Sequence, residues 1–310
     1  MGKIRMKARS DGLTLEEAFR EFVVSQKAKG IKDVTIRTYH NHFHSASKHL
    51  NMSLTFGELT SQHLDEMLVS MRESGLAPNS ISSYTRVMKT FLHWCCQRGY
   101  TLLELPNIKQ EETVKAVYTD EELELLLKRP SADCQFCEYR SWVIINFLLN
   151  CGCRAATIRN IQNQDVSLSD RQVIFRHTKN GKIQTVPLCS RMVNVLSGYM
   201  NIRGGAAEDY LFCDEYGGML SENALRLSIA RYNQKRGVQK TSLHLFRHTF
   251  ARKYLVDCGG DAFTLQRLLG HSTLKMTKHY CAIYDTDIAR NFDLHSPLAQ
   301  MDQTKKKITR

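Results

Sequence analysis

The chain has 310 residues, a hydrophobic fraction of 42% and a formal net charge of +12. This length favours two domains in an ordinary globular protein, and the basic excess favours a polyanionic partner such as nucleic acid. The sequence has no run of about 18 apolar residues and no apolar stretch behind its basic start, so it predicts no membrane span and no secretory signal, and we expect a cytoplasmic protein.

The first hundred residues predict a helical domain over residues 13–105. Thr14 and Glu17 form a capping box, and apolar residues then recur at helical spacing. The predicted helices run from Leu15 to Gly30, from Asp33 to Leu50, from Thr60 to Ser74 and from Asn79 to Arg98. Four such helices can bury a small core of their own.

Residues 106–117 are polar and charged and lack apolar periodicity, which is typical of an interdomain linker. A second capping box, Thr119 with Glu122, opens a second domain over residues 118–286. An apolar helix is predicted from Tyr139 to Asn150. Alternating apolar residues around Asn180-Gly181 then predict a β-hairpin from Arg171 to Pro187.

The rest of the second domain predicts more helices. They run from Ser190 to Met200, from Ser221 to Gln234, from Leu243 to Asp257 and from Ala262 to Leu269. Residues 287–310 form a C-terminal segment that ends in a basic tail. The expected fold class is therefore mainly α with a small β-sheet: a four-helix domain followed by an α+β domain.

Two residue clusters could in principle hold a metal ion. The CxxC and CxC pairs resemble a four-thiolate zinc site, formed by Cys134, Cys137, Cys151 and Cys153. Cys151, however, ends an apolar run and Cys153 precedes an arginine, which favours packing of reduced thiols. A second cluster lacks an acid or cysteine that would complete a ligand set, and a solvated polar face is the better interpretation. Its members are His40, His42, His44 and His49. We predict no metal site.

The sequence has no Gly-rich phosphate loop, no HExxH and no acid cluster typical of a two-metal nuclease. Phosphoryl transfer would then depend on side chains alone for nucleophile, acid and charge stabilisation. The last two thirds of the chain offer six such side chains. They are Arg154, Lys179, His244, Arg247, His271 and Tyr280. Each alone has an ordinary explanation, such as a solvated face or a hairpin tip, but their order and spacing together do not.

The set resembles the tyrosine recombinases, also called phage-type integrases, and among them the short Xer-like and transposon-borne members. The most specific matches are His244-Leu245-Phe246-Arg247-His248-Thr249-Phe250-Ala251, Leu268-Leu269-Gly270-His271-Ser272 and Tyr280. Gly152 with Arg154 fits the glycine that precedes the first catalytic arginine. The hairpin lysine of the family matches Lys179 in Thr178-Lys179-Asn180-Gly181-Lys182.

The resemblance implies a role for each of the six residues. Tyr280 attacks a DNA phosphodiester and forms a 3′-phosphotyrosine, without metal, ATP or another cofactor. Arg154 and Arg247 hold the non-bridging oxygens, and Lys179 protonates the leaving 5′ oxygen. His244 assists proton transfer or bonds the phosphate, and His271 donates a further hydrogen bond to the phosphate. Tyr284 is a rival nucleophile, but the nine-residue spacing from His271 favours Tyr280.

Two departures from the family pattern concern the neighbourhood of Arg154. Thr157 stands where an acid is common, and Cys151-Gly152-Cys153 replaces a common Thr-Gly-Leu. The resemblance also makes the first domain a core-binding, DNA-clamping domain. Its candidate phosphate contacts are Lys32, Arg37, Arg86 and Lys89, for which a solvated basic face is an equal alternative.

The implied partner is double-stranded DNA that carries paired recombination sites. The enzyme is expected to be a monomer or weak oligomer without DNA and a homotetramer on two sites, with help from DNA-bending proteins. Residues Asp287 to Met301 are the candidate for a segment exchanged between neighbouring protomers. The expected use is integration or excision of a mobile element, or dimer resolution, on the nucleoid of a bacterial host.

Three other functions remain open at this point. A type IB topoisomerase uses similar phosphotyrosine chemistry but acts as a monomer with little choice of site. A catalytically inactive DNA-binding regulator would bind DNA and leave no covalent adduct. An unrelated basic RNA-binding protein is disfavoured, because the sequence carries no RNP-type aromatic motif.

Overall fold

The computed structural model of the protein describes residues 12–106, 108, 116–178, 181–278 and 298. The chain divides into two compact units, Met1–Thr113 and Val114–Arg310. Over the described residues, the first unit contains four α-helices, and the second contains eight α-helices, one 3₁₀-helix and a three-stranded sheet. The predicted fold class, mainly α with a small β-sheet, is confirmed. Within these ranges, no helix is long and apolar enough to cross a membrane.

The first unit begins at the predicted capping box. Thr14 Oγ1 accepts a hydrogen bond from Glu17 N at 3.2 Å, and the Glu17 carboxylate accepts from Thr14 N at 3.0 Å. The helices that follow are α1 (Leu15–Ala28), α2 (Asp33–Ala46), α3 (Ser61–Glu73) and α4 (Pro78–Arg98). Each helix turns its apolar stripe inward, so the predicted periodicity and the buried face agree.

Four phenylalanines form the centre of the first unit. The rings of Phe19 and Phe43 stack with their centroids 3.7 Å apart, and Phe91 meets both rings edge-on. Phe22 packs against Phe91 in the same way. Offset and edge-to-face contacts of this kind add to the free energy gained from burying the rings. They join α1, α2 and α4 into one core.

Helix α2 is shorter than predicted, because it ends at Ala46 rather than Leu50. The chain turns after Ala46, so that Leu50 and Met52 enter the core of the first unit. Backbone bonds then hold the turned segment, since Glu16 N donates to Met52 O at 3.0 Å. Burial of two more apolar side chains thus outweighs another turn of helix.

The second unit is built around a helix that is buried on all sides. This helix, α6 (Phe136–Cys151), packs against α5 (Asp120–Leu127), α8 (Ser190–Arg203), α9 (Glu222–Lys235) and α10 (Leu243–Val256). A 3₁₀-helix lies at Asn163–Asp165, and three further α-helices complete the described part. They are α7 (Ala155–Arg159), α11 (Ala262–Leu269) and α12 (Leu274–Lys278).

The sheet of the second unit is antiparallel and has the order β1-β2-β3. Its strands are β1 (Val166–Ser167), β2 (Gln172–Phe175) and β3 (Gln184–Pro187). Val173 pairs with Val186, and both are buried. The hairpin pairing predicted for β2 and β3 is confirmed, whereas β1 was not predicted, because two residues are too few to show alternation.

The start of the second unit is hydrogen-bonded to α10 and to the segment before it. Tyr118 N donates to Thr249 Oγ1 at 2.9 Å, and the Tyr118 hydroxyl donates to Lys240 O at 3.1 Å. The Tyr118 ring stacks on Phe246 with a centroid distance of 4.3 Å. The second predicted capping box, Thr119 with Glu122, follows at once and is confirmed.

We predict that Phe91→Ala destabilises the first unit by roughly 3–5 kcal/mol, because it empties the centre of the aromatic cluster. Urea denaturation of the full chain in a Trp142→Phe background, where Trp94 of the same core is the remaining tryptophan, measures this change by fluorescence. Val24→Ala is the matched control, since Val24 is 67% exposed and should change the free energy of unfolding by about 0.5 kcal/mol or less. Equal effects of the two substitutions would contradict the described core.

Candidate active site

Four of the six predicted catalytic residues are described, and all four belong to the second unit. They are Arg154, His244, Arg247 and His271. Lys179 and Tyr280 lie outside the described residues, and so do the rival nucleophile Tyr284 and the predicted turn residue Asn180. Of the candidate exchanged segment, only Leu298 is described.

The end of α6 brings Arg154 to the site. Helix α6 ends at Gly152, whose φ of +58° lies in the left-handed region that favours glycine. A Cβ at this position would collide with the Phe250 ring and would come within 2.9 Å of Leu269 Cδ2. Glycine therefore lets three segments pack closely here. Arg154 follows as the residue that precedes α7, and it is half-buried.

Helix α10 carries Arg247, whose guanidinium is the most constrained group of the site. Arg247 is only 3% exposed. Its Nη1 donates to Gly152 O at 2.8 Å, and its Nη2 donates to Leu269 O at 2.9 Å. Nη2 also contacts His271 Nε2 at 2.7 Å. A buried charge needs such partners to offset the loss of water.

His271 lies directly after α11, where Gly270 ends the helix with a φ of +62°. The histidine is buried, and its Nδ1 lies 2.9 Å from Thr277 Oγ1 on α12. Burial, followed by the positive charges of Arg247 and Arg154, lowers the pKa of His271 from 6.5 to about 4. At neutral pH the ring is therefore uncharged.

The structure thus brings Arg247 and His271 into direct contact and places Arg154 close enough for its charge to act on His271. His244 lies one helical turn before Arg247 on α10, and it is exposed. Thr157, which stands where an acid is common, is buried at the start of α7. The partners that hold Arg247 are carbonyls and a neutral imidazole, so its positive charge is not cancelled there.

Gln184 is a residue of the site that the sequence did not reveal. It begins β3, and its Nε2 donates to Arg267 O at 2.8 Å and to Leu268 O at 2.7 Å. These bonds fasten the hairpin strand to the end of α11, directly before His271. A side chain that bonds carbonyls more than 80 positions away leaves no local pattern in a sequence.

The two cysteine pairs lie at opposite ends of α6, with Cys137 in its first turn and Cys151 at its last residue. A helix rises 1.5 Å per residue, so these ends are about 21 Å apart and cannot share one zinc ion. Burial raises the pKa of Cys153 to about 12 and holds the pKa of Cys151 well above its usual value, as expected for packed thiols. Among the described residues, no three His, Cys, Asp or Glu side chains form a group that could hold a metal ion.

The candidate DNA contacts of the first unit lie on two helices that pack against each other, α2 and α4. Lys32 precedes α2 and Arg37 lies on it, whereas Arg86 and Lys89 lie on α4. Lys32, Arg37 and Arg86 are exposed, and Lys89 is half-buried. Their exposure fits a phosphate-binding face and a solvated face equally well.

Known proteins are similar to this chain over most of its length. The model of the Phage integrase family matches residues 116–287. Tyrosine recombinase XerC of Shewanella amazonensis is 23% identical over 291 residues, which cover 92% of this chain and 96% of that protein. Tyrosine recombinase XerD of Staphylococcus haemolyticus is 25% identical and covers 92% of this chain and 99% of its own length.

Solved structures share the fold. The Tn1549 transposon integrase, in complex with transposon right end DNA, superposes with a TM-score of 0.73 at 17% identity and covers 92% of this chain and 99% of its own. A lambda integrase dimer bound to a core site gives a TM-score of 0.71 at 16% identity and covers 86% of this chain and 95% of its own.

We predict that Gly152→Ala lowers the free energy of unfolding by about 2–4 kcal/mol, because a left-handed φ and a steric collision add together. Gly237→Ala is the matched control in the same unit. Gly237 has a φ of +78°, but no atom lies within 4 Å of the position that an alanine Cβ would take. Only the backbone cost of about 1 kcal/mol therefore applies. Thermal or urea unfolding measures both, and equal losses would argue against the described packing of Phe250.

The lowered pKa of His271 predicts a pH dependence of stability. Between the folded pKa of about 4 and the unfolded value of 6.5, the unfolded chain binds the proton and the folded chain does not. Stability from this group is complete above the unfolded pKa and is lost as the pH falls toward 4, by on the order of 3 kcal/mol in total. As the pH falls across this range, the free energy of unfolding measured with urea should decrease less steeply for His271→Gln than for the wild type. Parallel curves would show that His271 does not titrate in this way.

Proposed function

The chain belongs to the phage integrase family, and we propose from this premise how its residues cut and rejoin DNA. The protein is a tyrosine-type site-specific recombinase that acts on DNA. The observation that carries the proposal is the meeting of three segments at Arg247. Its guanidinium bonds the carbonyl of Gly152, which lies two residues before Arg154, and the ring of His271, which lies nine residues before Tyr280.

In the proposed reaction the Tyr280 hydroxyl attacks a DNA phosphorus. A bond forms between the tyrosine oxygen and phosphorus, and the bond from phosphorus to the 5′ oxygen breaks. The phenolic proton passes to His244 or to water, and Lys179 supplies a proton to the leaving 5′ oxygen. The 3′-phosphotyrosine keeps the energy of the ester, so a 5′ hydroxyl of the second DNA can reverse the step without ATP.

Arg154 and Arg247 stabilise the negative charge that develops on the non-bridging oxygens. Guanidinium groups suit this task, because they stay charged and present planar pairs of N–H donors. Arg247 uses three of its five N–H groups on neutral partners, and the other two have no partner among the described residues. A preorganised donor that needs no rearrangement during the reaction is worth about a hundredfold or more in rate.

The first unit provides the second half of a clamp on the DNA in this proposal. Lys32, Arg37, Arg86 and Lys89 contact phosphates, and they contribute affinity and register rather than base recognition. In this proposal residues 13–105 and 118–286 are the two DNA-binding parts, and the polar, charged residues 106–117 link them.

We propose that the active form is a homotetramer on two paired sites, formed from monomers or weak oligomers as they bind DNA. A solved lambda integrase structure is a tetramer bound to a Holliday junction, and its fold is that of this chain. Segment Asp287 to Met301, with Ile288, Phe292, Leu294 and Leu298, passes between neighbours. Leu298 is 77% exposed, which suits an apolar side chain awaiting a partner surface. DNA-bending proteins assist, and the reaction takes place on the nucleoid in the cytoplasm.

The nucleophile can be tested with a nicked suicide duplex made from DNA that flanks the protein's own gene. The nick lets a short 5′-hydroxyl fragment escape, so the phosphotyrosine cannot religate. We expect a covalent protein–DNA band on a denaturing gel with the wild type and none with Tyr280→Phe. Tyr284→Phe is the matched control and should still form the adduct.

Each other outcome changes the proposal in a definite way. An adduct that survives Tyr280→Phe but disappears in Tyr284→Phe moves the nucleophile. Tight binding to this DNA without an adduct in any variant overturns the enzymatic function in favour of a DNA-binding regulator. Relaxation of any supercoiled plasmid without a paired-site product would indicate topoisomerase activity instead.

A further inference from the structure

Both ring nitrogens of His271 have partners, and the chemistry of these partners fixes which nitrogen carries the proton. A guanidinium N–H can only donate, so the contact of Arg247 Nη2 at 2.7 Å requires an unprotonated His271 Nε2. A neutral imidazole then carries its single proton on Nδ1. Nδ1 therefore donates to Thr277 Oγ1, which lies 2.9 Å away.

The surroundings of the ring favour this neutral form. Burial, together with the positive charges of Arg247 and Arg154 among the described residues, keeps the pKa of His271 near 4. A protonated Nε2 would turn its N–H toward an N–H of Arg247. Thr277 is fully buried, so water does not compete for the Nδ1 proton.

We propose that Thr277 is a positioning residue of the recombinase: it holds His271 in the Nδ1-protonated form, and Nε2 of that ring then orients the Arg247 guanidinium for the DNA phosphate. This inference rests on the function proposed above. In this arrangement the one N–H of the neutral His271 ring bonds Thr277. In the DNA-free chain His271 therefore acts on Arg247, whose guanidinium it orients.

The geometry around Arg247 explains why the histidine contact matters. The carbonyl of Gly152 holds Nη1, and the carbonyl of Leu269 holds one hydrogen of Nη2. The His271 contact uses the other hydrogen of Nη2 and so fixes the plane of the group at a third point. Thr277 stands on α12 three residues before Tyr280, so the same hydrogen bond ties the His271 loop to the helix that leads to the nucleophile.

The tautomer can be measured in the full chain without DNA. In protein labelled with ¹⁵N-histidine, long-range ¹H–¹⁵N spectra separate protonated from unprotonated ring nitrogens. We expect His271 to show protonated Nδ1 and bare Nε2 at neutral pH. Thr277→Ser keeps the acceptor and should preserve this pattern. The isosteric Thr277→Val leaves a buried Nδ1–H without its acceptor, which is costly, so a fraction of the rings should carry the proton on Nε2 and lose the Arg247 contact. A wild-type ring protonated at Nε2 would overturn the proposal.

The consequence for chemistry is measured with the nicked suicide duplex under single-turnover conditions. Thr277→Val should cleave roughly 10- to 100-fold more slowly than wild type, as expected when a reacting group is held slightly out of place. Thr277→Ser should recover most of the rate. DNA affinity and the melting temperature separate this effect from loss of fold, and Thr185→Val, at an exposed threonine of β3, controls for the substitution itself.

The two experiments fail independently. Unchanged cleavage by Thr277→Val, with the tautomer altered, would remove the positioning role. Equal losses in Thr277→Val and Thr277→Ser, together with a lower melting temperature, would reduce Thr277 to a packing residue. If the wild type forms no adduct at all, the proposed function fails, and the spectra still decide whether Thr277 sets the His271 tautomer.

Discussion

The guanidinium of Arg247 is a permanent positive charge that is almost completely withdrawn from water. Such a group is tolerated only where hydrogen-bond acceptors replace the lost solvent, and here these are two carbonyls and a neutral imidazole. The acceptors come from the end of α6, the end of α11 and the residue after α11. Two stretches, one 95 positions before Arg247 and the other beginning 22 positions after it, must therefore converge on α10 before the charge can be buried.

The choice of neutral acceptors matters for the chemistry as well as for folding. A carboxylate beside Arg247 would satisfy the guanidinium more strongly, but it would also cancel the charge that a phosphate needs. Carbonyl dipoles hold the group in place and leave its charge in force. Arg154 adds a second positive charge nearby. Burial and these two charges together lower the pKa of His271. The ring stays neutral because two permanent cations already occupy its surroundings.

Sequence alone predicted most of the helices, since their capping boxes and apolar stripes are local signals. It also singled out Arg247 and His271, which the structure brings into contact, because both belong to motifs with fixed spacing. Their catalytic roles stay predictions. The contacts that it missed depend on tertiary structure. They are the bonds of Gln184 to the end of α11, the bond of Tyr118 to Thr249 of α10, and the contact between Thr277 and His271. Such bonds depend on how distant segments meet, and no periodicity records them. The predicted roles of Lys179 and Tyr280 concern residues outside those described and stay predictions.

The glycine that closes α6 stands between two cysteines, and this neighbourhood provides a built-in kinetic probe. Thiol reagents attack the thiolate, and Cys151 and Cys153 are both buried and held protonated. Cys137, Cys189 and Cys258 are exposed, so they would be labelled in the intact fold. Cys151 and Cys153 would then be labelled in a slower phase, and the rate of this phase would report local unfolding of the segment that carries Arg154. Mass spectrometry of the labelled protein would thus give the rate of local opening at the site, without DNA and without any substitution.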